Sequence, residues 1–178
     1  MGGKAPLQTQ LHLLLKMVNL PPRGRNDGHV FDYSQITDNI FIGSDLCKGN
    51  SCPVHGPEFE ALGILVELNL SAERKEIPPD GIDIYSWIPV ANGYAPTQEQ
   101  LDIGTSIIDA AVKQEKKVYV HCTNGHGRSP TMVSGYLIRY QGKTVDEAID
   151  SIKEKRPEIH IEDVQKDALN KFLERWSK

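Results

Sequence analysis

Cysteine is scarce: Cys47, Cys52 and Cys122 are the only three in 178 residues. That number does not suggest a disulfide framework, and a thiol that is to stay reactive belongs in a reducing compartment. A cytoplasmic setting is the expectation. Long apolar runs are missing too, since none approaches the ~20 residues of a membrane-spanning helix. Positive charge is not in excess: 20 Lys and Arg stand against 24 Asp and Glu, for a net charge of −4. A general nucleic-acid binder is usually basic, so any anion site here must be a local positive spot on a mildly acidic body. Metal ligands at persuasive spacing are also lacking. Cys47, Cys52 and His55 come nearest, but zinc would want a fourth ligand and a second pair, so the stretch reads as an ordered surface loop and no metal or cofactor is expected. What remains is a 39% hydrophobic chain, enough for one domain, or one domain plus an extension.

Residues 1–29 read as that extension. Leu7, Leu11, Leu14, Leu15 and Val18 recur at helical spacing, which is an amphipathic helix. Lys4, Lys16, Arg23 and Arg25 precede Asp27, with no acidic residue before it. Three readings stay open: a helix packed on the domain, weak contact with a membrane surface through residues 5–20, or an organelle presequence, against which the absence of serine argues. Position six is Pro, so the start is not a myristoylation signal. Pro21 to Gly28 reads as a linker.

From residue 30 to 178 the pattern alternates strands and helices. One or two short strands are expected over Val30–Ser44, turning at Thr37–Asn39. A short helix over Gly56–Leu62 leads into a buried strand over Ile64–Leu70, a loop to Gly81 and a strand over Ile82–Val90. Helices follow over Gln98–Gln114, Ser129–Tyr140 and Thr144 to about Lys155, with a last one from Asp163 to near Trp176 whose apolar face is Leu169, Phe172, Leu173 and Trp176. Thr97 with Gln100, and Thr144 with Glu147, are spaced as capping boxes. Such alternation implies an α/β fold with a mostly parallel sheet flanked by helices.

The stretch that organises the rest is Val118-Tyr119-Val120-His121-Cys122-Thr123-Asn124-Gly125-His126-Gly127-Arg128-Ser129-Pro130. An apolar β-branched run ends in His-Cys, two glycines shape a tight loop, and a helix starts at Ser-Pro. Successive backbone N–H groups in such a loop, with the positive end of the helix behind them, bind an anion. Arg128 adds a planar fork suited to two phosphate oxygens. A thiol at the base of this cup, Cys122, ionises easily in the same field. A thiolate facing phosphorus is a nucleophile in attack position.

Cys122, five residues, Arg128 and Ser129, preceded by His121, resembles the signature loop of the cysteine-based tyrosine and dual-specificity phosphatases. Tyr33–Ser44 and Leu62–Leu70 are similar to other segments of the dual-specificity branch, and the likeness extends over about residues 30–176. It implies a phosphatase fold and hydrolysis of phosphate monoesters through a cysteinyl-phosphate intermediate, on a phosphorylated protein or a small phosphorylated substrate. Carried over residue by residue, it implies that residues 122–128 (Cys122, Thr123, Asn124, Gly125, His126, Gly127 and Arg128) cradle the phosphate. Asn124 and His126 line the rim or face outward. His121 orients the loop, and the Ser129 hydroxyl donates to the sulfur and helps the thiolate leave.

The same likeness exposes a gap. The family's general acid is an aspartate four residues before a proline, on a mobile loop after a strand. In Trp87-Ile88-Pro89-Val90-Ala91-Asn92-Gly93-Tyr94-Ala95-Pro96 that position is Asn92, which has no proton to give as an acid. Turnover should therefore suffer in proportion to leaving-group basicity. Substitutes to weigh are His126, Asp102 and Glu99, and deamidation of the Asn92-Gly93 pair would itself create an acid. Three alternatives to a protein phosphatase stay open: a phospholipid or phosphoinositide phosphatase, which the segment Ile149–Ile161 somewhat resembles; an RNA 5′-triphosphate phosphatase, whose acidic leaving group needs no proton donor; and a pseudophosphatase that binds phosphorylated partners without turnover.

Overall fold

The computed structural model describes residues 32–44, 60–75, 78 and 81–177. The extension 1–29, the Cys47–His55 stretch and most of the expected Gly56–Leu62 helix lie outside them. Among the described residues five strands, β1 (Tyr33–Gln35), β2 (Ile40–Ser44), β3 (Ile64–Ser71), β4 (Ile84–Val90) and β5 (Lys117–Cys122), form one sheet in the order β1-β2-β5-β3-β4. Only the β1–β2 pair is antiparallel. Among the described residues four helices flank the sheet: α1 (Gln98–Lys113), α2 (Arg128–Gln141), α3 (Val145–Lys153) and α4 (Asp163–Trp176). The α/β architecture and the parallel sheet are as the sequence alternation implies.

β5 lies at the centre of the sheet and is apolar on both faces, as a strand covered on both sides must be. Val118, Val120 and Cys122 point into the large core shared with the helices, while Tyr119 joins Phe41 and Ile64 in a second cluster on the other face. Alternation along the strand thus aims Cys122 at the helix layer and His121 away from it. The register pairs Ser44 of β2 with Cys122 and Asn69 of β3 with His121, so three parallel strands end together at Cys122.

α2 is the hub of the helix layer, packed against α1, α3, α4 and β5. All eleven residues from Arg128 to Ile138 are buried, which explains why this stretch shows no polar face. Thr97 and Thr144 each close a full capping box. Trp176 departs from expectation: it is 42% exposed, with the Arg139 guanidinium 3.8 Å from its ring centroid. The last turn of α4 passes the edge of the core, and the indole lies between the Arg139 cation and the tilted Phe172 ring, whose centroid is 6.2 Å away.

Candidate active site

The loop 122–128 joins the end of β5 to the start of α2. Gly125 makes it possible: its φ is +68°, and a Cβ there would stand 2.5 Å from the Gly43 carbonyl oxygen. Gly127 caps α2 without any side-chain hydrogen bond, which leaves the first-turn N–H groups for an anion. Cys122 is 3% exposed. Burial alone would push its thiol up. The Arg128 guanidinium, the Ser129 hydroxyl and the backbone N–H groups of Ser129 and Gly125 outweigh it and hold the thiol below its ordinary value. The Ser129 hydroxyl is buried and has no hydrogen-bond partner among the described residues, so it is free to turn to the Cys122 sulfur when that sulfur is charged.

Arg128 is 2% exposed and almost fully tied down. Its Nη1 donates to Glu73 Oε2 and to the Val90 carbonyl, both at 2.7 Å, and its Nη2 donates to Thr123 Oγ1 at 2.9 Å. Its Nε is buried with no partner among the described residues. A buried donor of this kind calls for an acceptor, and a phosphate oxygen above the loop would supply one. His121 Nε2 lies 2.9 Å from Glu67 Oε1, with both side chains fully buried, and its ring stacks on Tyr119 at 5.3 Å. It is anchored to the sheet behind the loop.

Sequence reasoning missed Glu73. It lies in the loop after β3, where open α/β sheets place ligand-binding groups, but no spacing links it to Arg128. Besides Arg128 it accepts from the Ser71 hydroxyl at 2.9 Å and from the Asn92 backbone N–H at 3.2 Å. Partial burial raises its pKa, but the hydrogen bond and charge of Arg128 prevail and leave it below the usual carboxylate range.

Glu73 therefore links the 122–128 loop to the Asn92 loop. The latter turns at Ala91–Tyr94, closed by Tyr94 N–H to the Ala91 carbonyl at 3.0 Å, with Gly93 at φ +79°, where a type II turn favours glycine. Gln100 and Gln165 hold its flanks through the Pro89 and Tyr94 carbonyls. The Asn92 side chain is partly exposed and makes no hydrogen bond among the described residues.

Two expected substitutes for the acid do not fit. Asp102 is bound by Arg175 Nη2 at 2.6 Å, and its backbone carbonyl accepts from Arg139, far along α2 from the loop; it is a structural ion pair, not a proton donor to the site. Glu99 sits in the first turn of α1. Hydrogen bonds from its own backbone N–H and from Thr97 lower its pKa, the opposite of the upward shift that a general acid needs. His126 lies in the loop itself and is half-buried, with its backbone carbonyl accepting from His160 N–H at 2.7 Å.

Known proteins resemble this chain. It is 31% identical over 129 residues to the tyrosine-protein phosphatase vhp-1 of Caenorhabditis elegans, covering 70% of this chain and 18% of that protein. It is 26% identical over 149 residues to dual specificity protein phosphatase 14 of Mus musculus, covering 83% and 72%. The crystal structure of PTPMT1 in complex with PI(5)P superposes with a TM-score of 0.71 at 21% identity, covering 82% of this chain and 96% of that one. The chain thus spans under a fifth of vhp-1 and about seven-tenths of the mouse protein. Residues 49–175 match the family of the dual specificity phosphatase catalytic domain, and the chain belongs to it.

Proposed function

We propose that the chain is a phosphatase that hydrolyses phosphate monoesters through a cysteinyl-phosphate intermediate, with phosphotyrosine-like aryl esters as its best substrates. One observation supports this above the rest: the Cys122 thiol is held below its ordinary range at the floor of a loop whose Arg128 keeps one buried donor unpartnered among the described residues. The thiolate attacks phosphorus and the ester oxygen leaves with the bonding pair. Water then attacks the thiophosphate, the S–P bond breaks, and the Ser129 hydroxyl stabilises the departing sulfur anion. Residues 123–128 hold the equatorial oxygens throughout, where charge develops.

Asn92 occupies the place of the leaving-group acid and leaves that step unassisted. Phenolate departs without much help and alkoxide does not, so aryl esters outrun phosphoserine. Release of phosphate from an aryl phosphate, blocked by vanadate and abolished by Cys122→Ser, is the expected result. Vanadate binding with no release would instead make the protein a binder of phosphorylated partners. A phospholipid substrate is the second reading, favoured by the fold shared with PTPMT1, whose structure carries PI(5)P. Against it, Glu73 sets a carboxylate beside Arg128 at the rim, which repels a second phosphate. A panel of phosphopeptide, phosphoinositide and triphosphate substrates separates the three classes.

A further inference from the structure

Arg156, like Arg128, brings its guanidinium to the loop, and no step described above uses it. It lies past the end of α3, is fully buried, and approaches the loop from behind. Its Nη2 donates to the Asn124 carbonyl at 3.1 Å and its Nε to the Gly125 carbonyl at 3.2 Å. Four residues on, His160 N–H takes the His126 carbonyl at 2.7 Å. Three consecutive loop carbonyls are therefore drawn outward by one short segment. Asp32 and Glu158 pair with the guanidinium at 2.5 and 3.0 Å, and the Ser34 hydroxyl accepts at 3.2 Å, so its position is fixed from the far side as well.

A trans peptide is planar, with C=O and the next N–H opposed. Pulling the Asn124, Gly125 and His126 carbonyls outward turns the N–H groups of Gly125, His126 and Gly127 inward. The Gly125 N–H is one of the donors that reach the Cys122 sulfur. A buried cation with two donors on adjacent carbonyls sets this orientation far more firmly than a glycine-rich loop would by itself.

We propose that Arg156 is a positioning residue for catalysis: by holding the Asn124 and Gly125 carbonyls away from the site it turns the loop amides toward the thiolate and the phosphate. It touches neither and acts through the peptide planes. This role rests on the reading of Cys122 as the nucleophile. Alkylation of the thiol and vanadate binding both report on the loop without turnover, so failure of one reading is distinguishable from failure of the other.

The test uses the full chain with Arg156→Lys and Arg156→Gln. Ile152→Val on α3, fully buried but remote from the loop carbonyls, serves as a control for lost stability. The pH midpoint of iodoacetamide alkylation at Cys122 is measured beside the vanadate Kd and the Tm. Lysine keeps the charge but cannot reach both carbonyls. Both Arg156 variants should move the midpoint up by about one pH unit, as loss of a donor to a charged group does, and weaken vanadate by about tenfold. The control should lower Tm alone. Should neither Arg156 variant fold, Asp32→Asn loosens the tether while leaving the guanidinium in place, and a smaller shift in the same direction is expected. An alkylation midpoint and vanadate affinity unchanged in folded Arg156→Lys, or failing that in Asp32→Asn, would overturn the role.

Discussion

Replacing Asn92 by aspartate should restore a general acid, and the structure allows the gain to be sized. A positioned acid is worth about 10²–10⁴-fold in rate, roughly 3–5 kcal/mol of barrier. Position 92 is well placed to supply it. Its N–H already donates to Glu73 Oε1 at 3.2 Å, and the loop is anchored at Val90, Pro89 and Tyr94, so the new carboxyl adds no disorder. A second carboxylate close to Glu73 would resist ionising, since like charges disfavour each other. With Glu73 kept ionised by Arg128, the proton stays on the introduced carboxyl, where the leaving group needs it. The assay is kcat for a series of aryl phosphates of rising phenol basicity. The unaltered protein should fall steeply across the series, and Asn92→Asp should flatten the slope and gain most on the most basic phenol. A flat slope in the unaltered protein, with no gain on substitution, would refute the reasoning and show that another group delivers the proton.

Other consequences follow from the same site. The Cys122 midpoint for alkylation should lie below that of an ordinary thiol, and Arg128→Ala should raise it, because the guanidinium is the largest favourable influence on the thiolate; an unmoved midpoint would contradict the electrostatic account. Gly125→Ala forces an L side chain into φ +68° and against the Gly43 carbonyl, at a cost of about 1–2 kcal/mol for the backbone alone, so vanadate binding should be lost before folding is. Glu73→Gln releases one edge of Arg128 and should raise KM severalfold while improving binding of substrates with a second phosphate. Its effect on stability should be well under about 1 kcal/mol, since the carboxylate is 46% exposed and screened. The sign is set by its depressed folded pKa: the contribution is full above the unfolded carboxylate range and disappears as pH falls through the folded value, and Tm measured against pH for both proteins checks it.

The fold was legible because local signals agreed with tertiary ones. Thr97 and Thr144 announced their helices by capping boxes, and the apolar β-branched run into Cys122 read as a strand. The loop was legible because Cys122 and Arg128 are joined by short, fixed spacing. Glu73 and Arg156 were not, for a physical reason: each reaches the loop across the fold, 55 and 31 residues away in sequence, and a carboxylate or guanidinium in a polar stretch looks like solvated surface until its partners are known. Asp102 failed as an acid for the same reason in reverse, its partner Arg175 lying 73 residues on. Trp176 continued the helical stripe of Leu169 and Phe172, but spacing does not reveal where the core stops.

The central claim is that sulfur at position 122 attacks phosphorus, and it is tested most directly by trapping the intermediate. Protein mixed with an aryl phosphate is acid-quenched during turnover and mapped by mass spectrometry. A phosphate on Cys122, absent with Cys122→Ser and slow to clear with Ser129→Ala, is the predicted result. Phosphate release that persists in Cys122→Ser, or turnover with no label on that cysteine, would contradict it.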